Sequence, residues 1–258
     1  MKPLLSMKGA TIRFGGLVAV KEVTFDIRPG DLFGLIGPNG AGKTTCFNLI
    51  TGMYQVSSGE ILFGEDCING ARKLPPNKIC ELGIARTFQN IRLFGALSAL
   101  ENVVIGGFLR SRSSLFSALT LMPPAIKDTR ALEAKAMEYL KVMDLEEDAH
   151  TRARDLPYGK QRRLEIARAM ATNPKLILLD EPAAGMNPQE SEQLSRTVRR
   201  IRDDYGKTVL LIEHDMRFVM NLCERIVVLD HGEEIAFGGP DDIRNNPKVI
   251  EAYLGEPV

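Results

Sequence analysis

A chain of 258 residues is long enough for one large domain, and a 44% hydrophobic content is ordinary for a packed globular core. Its 33 basic and 33 acidic residues cancel, so nucleic acid finds no broad basic footprint and is excluded as an expected partner. No uncharged apolar run reaches the roughly eighteen residues of a membrane-spanning helix, no secretion leader opens the chain, and Cys46, Cys67, Cys80 and Cys223 form no CxxC pair, which predicts a cytosolic protein with mostly buried thiols and neither zinc nor disulfides.

Along the chain, TFDIRPG (24–30) reads as a strand ending in a Pro-Gly turn, and DLFGLIG (31–37) as a buried parallel strand that stops at a glycine. Directly after it, GPNGAGKTT (37–45) fits the pattern G-x-x-x-x-G-K-[ST], in the strand-before, helix-after setting that such a loop requires. Gly37, Gly40 and Gly42 let the backbone curl around Pro38, Asn39 and Ala41. Its N–H groups then face a phosphate chain at the positive end of the next helix. Lys43 reaches the β- and γ-phosphates of a nucleotide, Thr44 offers its hydroxyl oxygen to Mg²⁺, and Thr45 completes the phosphate-binding run.

From about residue 90 to 165 the strand signal disappears. DTRALEAKAMEYLKVMDL (128–145) carries a helical stripe of Leu132, Ala136, Tyr139, Leu140 and Met143, which predicts an inserted helical subdomain. The RSRSS run and LFSALTLMPP after it (110–124) are expected to form a solvated surface loop rather than an amphipathic piece. The basic cluster Arg152, Arg154, Lys160, Arg162 and Arg163 is expected on a solvated helix face near the phosphates. Further on, KLILLD (175–180), TVLLIEHD (208–215) and RIVVLD (225–230) alternate with helical segments such as 189–206, where Gly206 is a stop signal; this predicts a mostly parallel sheet covered by helices. LILLDEP delivers Asp180 and Glu181 at the end of a strand where open α/β sheets bind ligands. Asp180 is placed to hold Mg²⁺ through a water, and Glu181 to orient and polarise the water that attacks the γ-phosphorus.

These motifs, in this order and spacing, resemble the ATP-binding cassette (ABC) family over nearly the whole chain. The resemblance implies an α/β fold, a P-loop NTPase core of ABC ATPase type with an inserted α-helical subdomain. Residues 1–89 and 166–258 are then the core of a single domain, 1–258, and residues 90–165 the subdomain. Taken alone, Gln89 reads as a surface glutamine and His214 as a strand-end histidine. The resemblance makes Gln89, in TFQ, the link from Mg²⁺ and the attacking water to the helical subdomain, and His214, in LLIEHD, the switch histidine. It also makes LPYGKQRRLEIARAM (156–170) the signature sequence, and it places Phe14, in RFGG, where an aromatic stacks on adenine; core packing is the alternative for Phe14. In the family two such domains pack head to tail, and each ATP lies between one chain's phosphate loop and the other's signature helix.

Within the family, LFGALSALENV, DEPAAGMNP, the insertion after Leu109 and NNPKVIEAYLGE look like the ATP-binding subunits of branched-chain amino acid importers. That narrower resemblance implies a peripheral protein on the cytoplasmic face of the inner membrane. It works with membrane permease subunits, a second identical or non-identical ATP-binding subunit, and an extracytoplasmic substrate-binding protein. The alternatives are the ATPase of a lipopolysaccharide exporter, which has the same size and ending, and a non-transport ABC ATPase. The absence of heptad-rich arms or a second cassette disfavours the last. Two positions depart from the family pattern. The signature usually reads Leu-Ser-Gly-Gly-Gln, whereas Leu156, Pro157, Tyr158, Gly159 and Lys160 lack the serine hydroxyl and keep only the backbone donors around Gly159. Asn187 stands where the family usually has an aspartate.

Overall fold

The computed structural model describes residues 2–108 and 123–254. The four apolar runs of the sequence become parallel neighbours in one sheet: β3 (Leu32–Ile36), β7 (Leu176–Asp180), β8 (Thr208–Ile212) and β9 (Arg225–Asp230), joined by the short β6 (Ile84–Arg86) and closed by an antiparallel β10 (Glu233–Gly238). The strand order is β10-β9-β3-β8-β7-β6. These strands are apolar at successive positions because both faces of the sheet are covered. Leu32, Ile177, Leu179, Val209, Leu211, Ile226 and Val228 enter one apolar cluster, and the intervening Phe33, Leu35, Leu176, Leu178, Leu210, Val227 and Leu229 enter the other.

The second cluster is closed by a four-stranded antiparallel sheet of order β2-β1-β4-β5, formed by β1 (Leu5–Phe14), β2 (Leu17–Ile27), β4 (Ser58–Phe63) and β5 (Asp66–Asn69). Helix α1 (Lys43–Ile50) lies between the two sheets and buries Cys46, Phe47, Leu49 and Ile50. The sequence reading anticipated strands at the start of the chain but not this separate antiparallel layer. After α2 (Pro76–Leu82) and β6, the chain enters the helical region: α3 (Ala99–Gly107), α4 (Pro123–Val142) and α5 (Tyr158–Ala171). The expected stripe does face inward, with Ala136, Tyr139, Leu140 and Met143 buried.

Helix α5 runs unbroken across the expected subdomain boundary at 165. Its Leu164, Ile166, Ala167 and Met170 share one apolar cluster with Val103 of α3, Leu140 of α4 and the outer face of the sheet. The helical region is therefore packed continuously onto the sheet. Helices α6 (Pro188–Asp203), α7 (Met216–Leu222), α8 (Pro240–Arg244) and α9 (Pro247–Leu254) complete the cover. The loop expected after Leu109 lies outside the described residues up to 122, and its last two prolines begin α4. Among the described residues no helix is long and apolar enough to cross a membrane. Cys46 and Cys223 are buried and Cys80 partly so, whereas Cys67 is exposed.

Candidate nucleotide site

Because β3, β6, β7 and β8 are parallel, their C-terminal ends open on one edge, and every strand-end motif arrives there together. The loop after β3 bends where side chains are forbidden. A Cβ on Gly37 would fall 2.0 Å from the Leu229 carbonyl oxygen, and one on Gly42, at φ +97°, would fall 2.7 Å from that of Ala19. Gly42 is also the N-cap of α1 and supplies no side-chain acceptor, so the first N–H groups of the helix have no side-chain cap among the described residues. Lys43 is 5% exposed, and its Nζ donates to the carbonyl oxygens of Gly37 and Pro38, both at 2.7 Å. Burial holds its ammonium below the usual lysine range, opposed by the charge of Glu181. Among the described residues no carboxylate lies in ion-pair reach of this buried cation. The loop, from Asn39 to Thr45, borders a cavity of about 310 Å³ together with Leu17, Val18, Ala19, Glu181, His214 and His231. A buried ammonium without a counterion and uncapped helix donors fit a bound polyphosphate.

Glu181 follows β7 with φ +47°, left-handed backbone that only a constrained non-glycine residue keeps. Its N–H donates to the Ile212 carbonyl at 2.9 Å, which ties the bend to β8. The carboxylate is held at both oxygens. Oε2 accepts from Gln89 Nε2 at 2.9 Å, and Oε1 lies 2.5 Å from His214 Nε2. His214 is aimed by its neighbours: Asp215 caps α7 through the Arg217 and Phe218 amides, and Glu213 accepts from the amides of Ala183 at 2.6 Å and of His214 at 3.1 Å. Burial raises the Glu213 carboxyl above its usual range, and those amides oppose the shift. Glu213 thus ties the turn after Glu181 to the histidine loop.

Asp180 is 3% exposed and ion-paired at 2.8 Å with Arg86 of β6. Arg86 also donates to Asn48 of α1 at 2.7 Å and lies against the rings of Phe47 and Phe88. Sequence reading missed this arginine, since nothing in IAR sets it apart from any basic strand end. Phe14 is 45% exposed and meets Tyr54 edge-on at 5.2 Å between ring centres. It lies outside the lining of the phosphate cavity, where Leu17, Val18 and Ala19 of β2 stand instead.

The signature segment opens α5. Pro157 is its N-cap, without a side-chain bond, and Tyr158 is 47% exposed. A Cβ on Gly159 would meet Glu190 Oε1 at 3.0 Å, so the helix start abuts that of α6. Asn187 caps α6: its Oδ1 accepts from Gln189 and Glu190 at 3.0 Å, and Glu190 accepts in return from the Asn187 amide. The basic cluster is not a solvated face. Arg152 and Arg154 are exposed, but Lys160 pairs with Asp148 at 2.7 Å, Arg163 donates to the Met143 carbonyl, and Arg162 is fully buried. Arg162 lies three and four residues before the buried Glu165 and Ile166, so helical spacing puts it on the packed face of α5 whatever the polarity of its neighbours.

The ABC transporter family profile matches residues 20–184, and the profile described as "Branched-chain amino acid ATP-binding cassette transporter" matches residues 233–258. The chain is 44% identical over 255 residues, 99% of each chain, to the high-affinity branched-chain amino acid transport ATP-binding protein LivG of Escherichia coli (strain K12). It is 33% identical to the lipopolysaccharide export system ATP-binding protein LptB of the same organism, over 98% of this chain and 97% of that one. Among solved structures it resembles the ADP conformation of the ATP-binding cassette MJ1267, with a TM-score of 0.85, 31% identity and coverage of 99% and 100%. It also resembles the dimeric post-hydrolysis cassette MJ0796 bound to ADP and Pi, with a TM-score of 0.76, 27% identity and coverage of 92% and 98%. With the phosphate loop, the acidic strand end and the histidine loop at one sheet edge, the chain belongs to the ABC transporter family of ATP-hydrolysing, ATP-binding subunits.

Proposed function

We propose that this chain powers the import of branched-chain amino acids through separate membrane permease subunits, as a peripheral protein on the cytoplasmic face of the membrane. A second ATP-binding subunit and an extracytoplasmic substrate-binding protein complete the system. The observation that carries the ATPase part is the Glu181 carboxylate gripped by Gln89 and His214 beside the buried Lys43. The substrate rests on the branched-chain match at 233–258 and on LivG.

ATP lies with its phosphates along residues 37–45, where Lys43 exchanges the two carbonyls for the β- and γ-phosphate oxygens. Phe14 is proposed to reach the adenine ring. Glu181 accepts the proton of the attacking water, and His214 and Gln89 keep that carboxylate in line. Thr44, Asp180 and Gln89 are the residues that would hold Mg²⁺, which supplies charge neutralisation on the transferred phosphoryl group. Gly159 presents backbone donors to the ATP of the partner.

The permease is proposed to dock in the groove between core and helical region. Met53, Phe94 and Ile105 there are 52%, 50% and 37% exposed, around a cavity of about 390 Å³. Co-purification of the membrane subunits, followed by leucine uptake in vesicles holding them, tests the assignment. ATP-dependent uptake that falls below about a tenth in Lys43→Ala is expected, since the variant loses the cation on the phosphates. Co-purification with a lipopolysaccharide exporter, without leucine uptake, would select the alternative suggested by the LptB likeness.

A further inference from the structure

A fully buried arginine requires partners, and Arg162 finds two of them on another segment of the chain. Its Nη1 donates to the Phe88 carbonyl at 2.5 Å and its Nη2 to the Gln89 carbonyl at 2.6 Å. Nη1 also meets Glu165 Oε2 at 3.0 Å. The other oxygen of Glu165 faces the amides of Phe88, at 3.5 Å, and Arg92, at 3.3 Å. One ion pair on one face of α5 therefore grips the backbone at and around Gln89. The Gln89 side chain, in turn, is bonded to Glu181 at 2.9 Å.

We propose that Arg162, oriented by Glu165, is a positioning residue that holds Gln89 against Glu181 and makes Gln89 follow the signature helix. The inference rests on the role proposed above for Gln89. The planar guanidinium fork suits two successive carbonyls, which a lysine ammonium on a flexible stem does not span. Burial raises the Glu165 carboxyl and Arg162 opposes that shift, so each partner makes the burial of the other tolerable. The geometry also gives a direct route from the far site. Pro157 to Lys160 open the same helix, and the hydroxyl of Tyr158 lies 3.4 Å from Nη2 of Arg162. At 1.5 Å of rise per residue, the clamp sits only about 7 Å from the tip that faces the partner's ATP, with no loop between them. Movement of the tip thus reaches Gln89 as a rigid-body displacement.

Arg162→Lys keeps a cation beside Glu165 and removes the fork. Two measurements on the full chain test the clamp: hydrogen exchange, and ATP turnover per bound nucleotide in wild type, Arg162→Lys, Gln89→Ala and the double variant. Exchange should quicken across residues 87–92 and stay unchanged elsewhere. Turnover should fall about tenfold in each single variant and no further in the double, because both changes act through one side chain. A merely structural role would multiply the losses instead. Wild-type exchange at 87–92 in Arg162→Lys would overturn the clamp, as would multiplying losses. Full turnover in Gln89→Ala would overturn the role of Gln89 and the inference with it, an outcome the exchange data distinguish from a missing clamp. Should Arg162→Lys not fold, Glu165→Gln, which keeps an acceptor for the amides but frees the guanidinium, carries the same cycle.

Discussion

Glu181 sits on left-handed backbone with both carboxylate oxygens engaged, so protein groups alone set its geometry. Such backbone costs a non-glycine residue about 1–3 kcal/mol and persists only where neighbours over-determine it. The amide of Gln in Glu181→Gln has nearly the same shape and keeps one acceptor oxygen, while its NH2 faces the other partner, but it cannot take a proton. Nucleotide binding should persist while the chemical step slows by roughly a hundredfold or more, as measured by equilibrium binding and single-turnover hydrolysis. Normal hydrolysis in this variant would assign the water to another residue. Asp180 and Glu181 were legible as candidates because they stand inside a contiguous motif at a strand end, whereas Gln89 and His214 were legible only through the family resemblance. Arg162 was not, since its carbonyl partners lie 73 and 74 residues away and its neighbours in QRRLE read as a wet helix face. Arg86 escaped for the same reason: its carboxylate, Asp180, is 94 residues distant.

The parallel strands were legible as elements because burial on both faces makes them continuous apolar runs. The antiparallel layer was not. Register shifts break β1 against both of its neighbours, and Gly9 at φ +54° interrupts the alternation that marks a half-buried strand. The helical region was legible as helices, but not its boundary, because α5 belongs to both sides. That shared helix bears on coupling. Phe88, Glu165 and Arg168 line the groove proposed for the permease, and Glu165 is half of the pair that holds Gln89. A permease helix seated there would press on the elements that position Gln89, and a packed element is what such transmission requires. Cross-links from a membrane subunit should therefore fall on the residues that line this groove, Met53, Phe94, Ile105 and Arg168 among them, read by mass spectrometry of the assembled complex. Cross-links confined to residues 225–258 would move the socket to the C-terminal elements.

At the scale of the assembly, the altered signature predicts unequal ATP sites in a pair with a second, non-identical ATPase. Helix α5 starts at Pro157 with no side-chain acceptor, Tyr158 stands half-exposed at the tip, and the serine hydroxyl that would reach a γ-phosphate is missing. Asn187, meanwhile, spends its amide oxygen on capping α6. In a head-to-tail pair, Lys43 of this chain faces the partner's signature, while Pro157 and Tyr158 face the partner's phosphate loop. A homodimer carries the deficit at both sites; a second ATPase that keeps the serine restores one. If the absent hydroxyl acts as a single preorganised donor, the barrier at the affected site rises by up to about 3 kcal/mol, or roughly two orders of magnitude in rate. The chain alone should thus hydrolyse ATP slowly and speed up when the second ATPase is added. Pro157→Ser should raise turnover of the isolated chain, and it should also stabilise α5 by about 1 kcal/mol through the new N-cap, a gain that thermal unfolding registers separately from the rate. Glu181→Gln decides between the two assemblies. An ATP-trapped dimer that forms as tightly alone as with the second ATPase, together with a Pro157→Ser variant no faster than wild type, would remove the case for asymmetry.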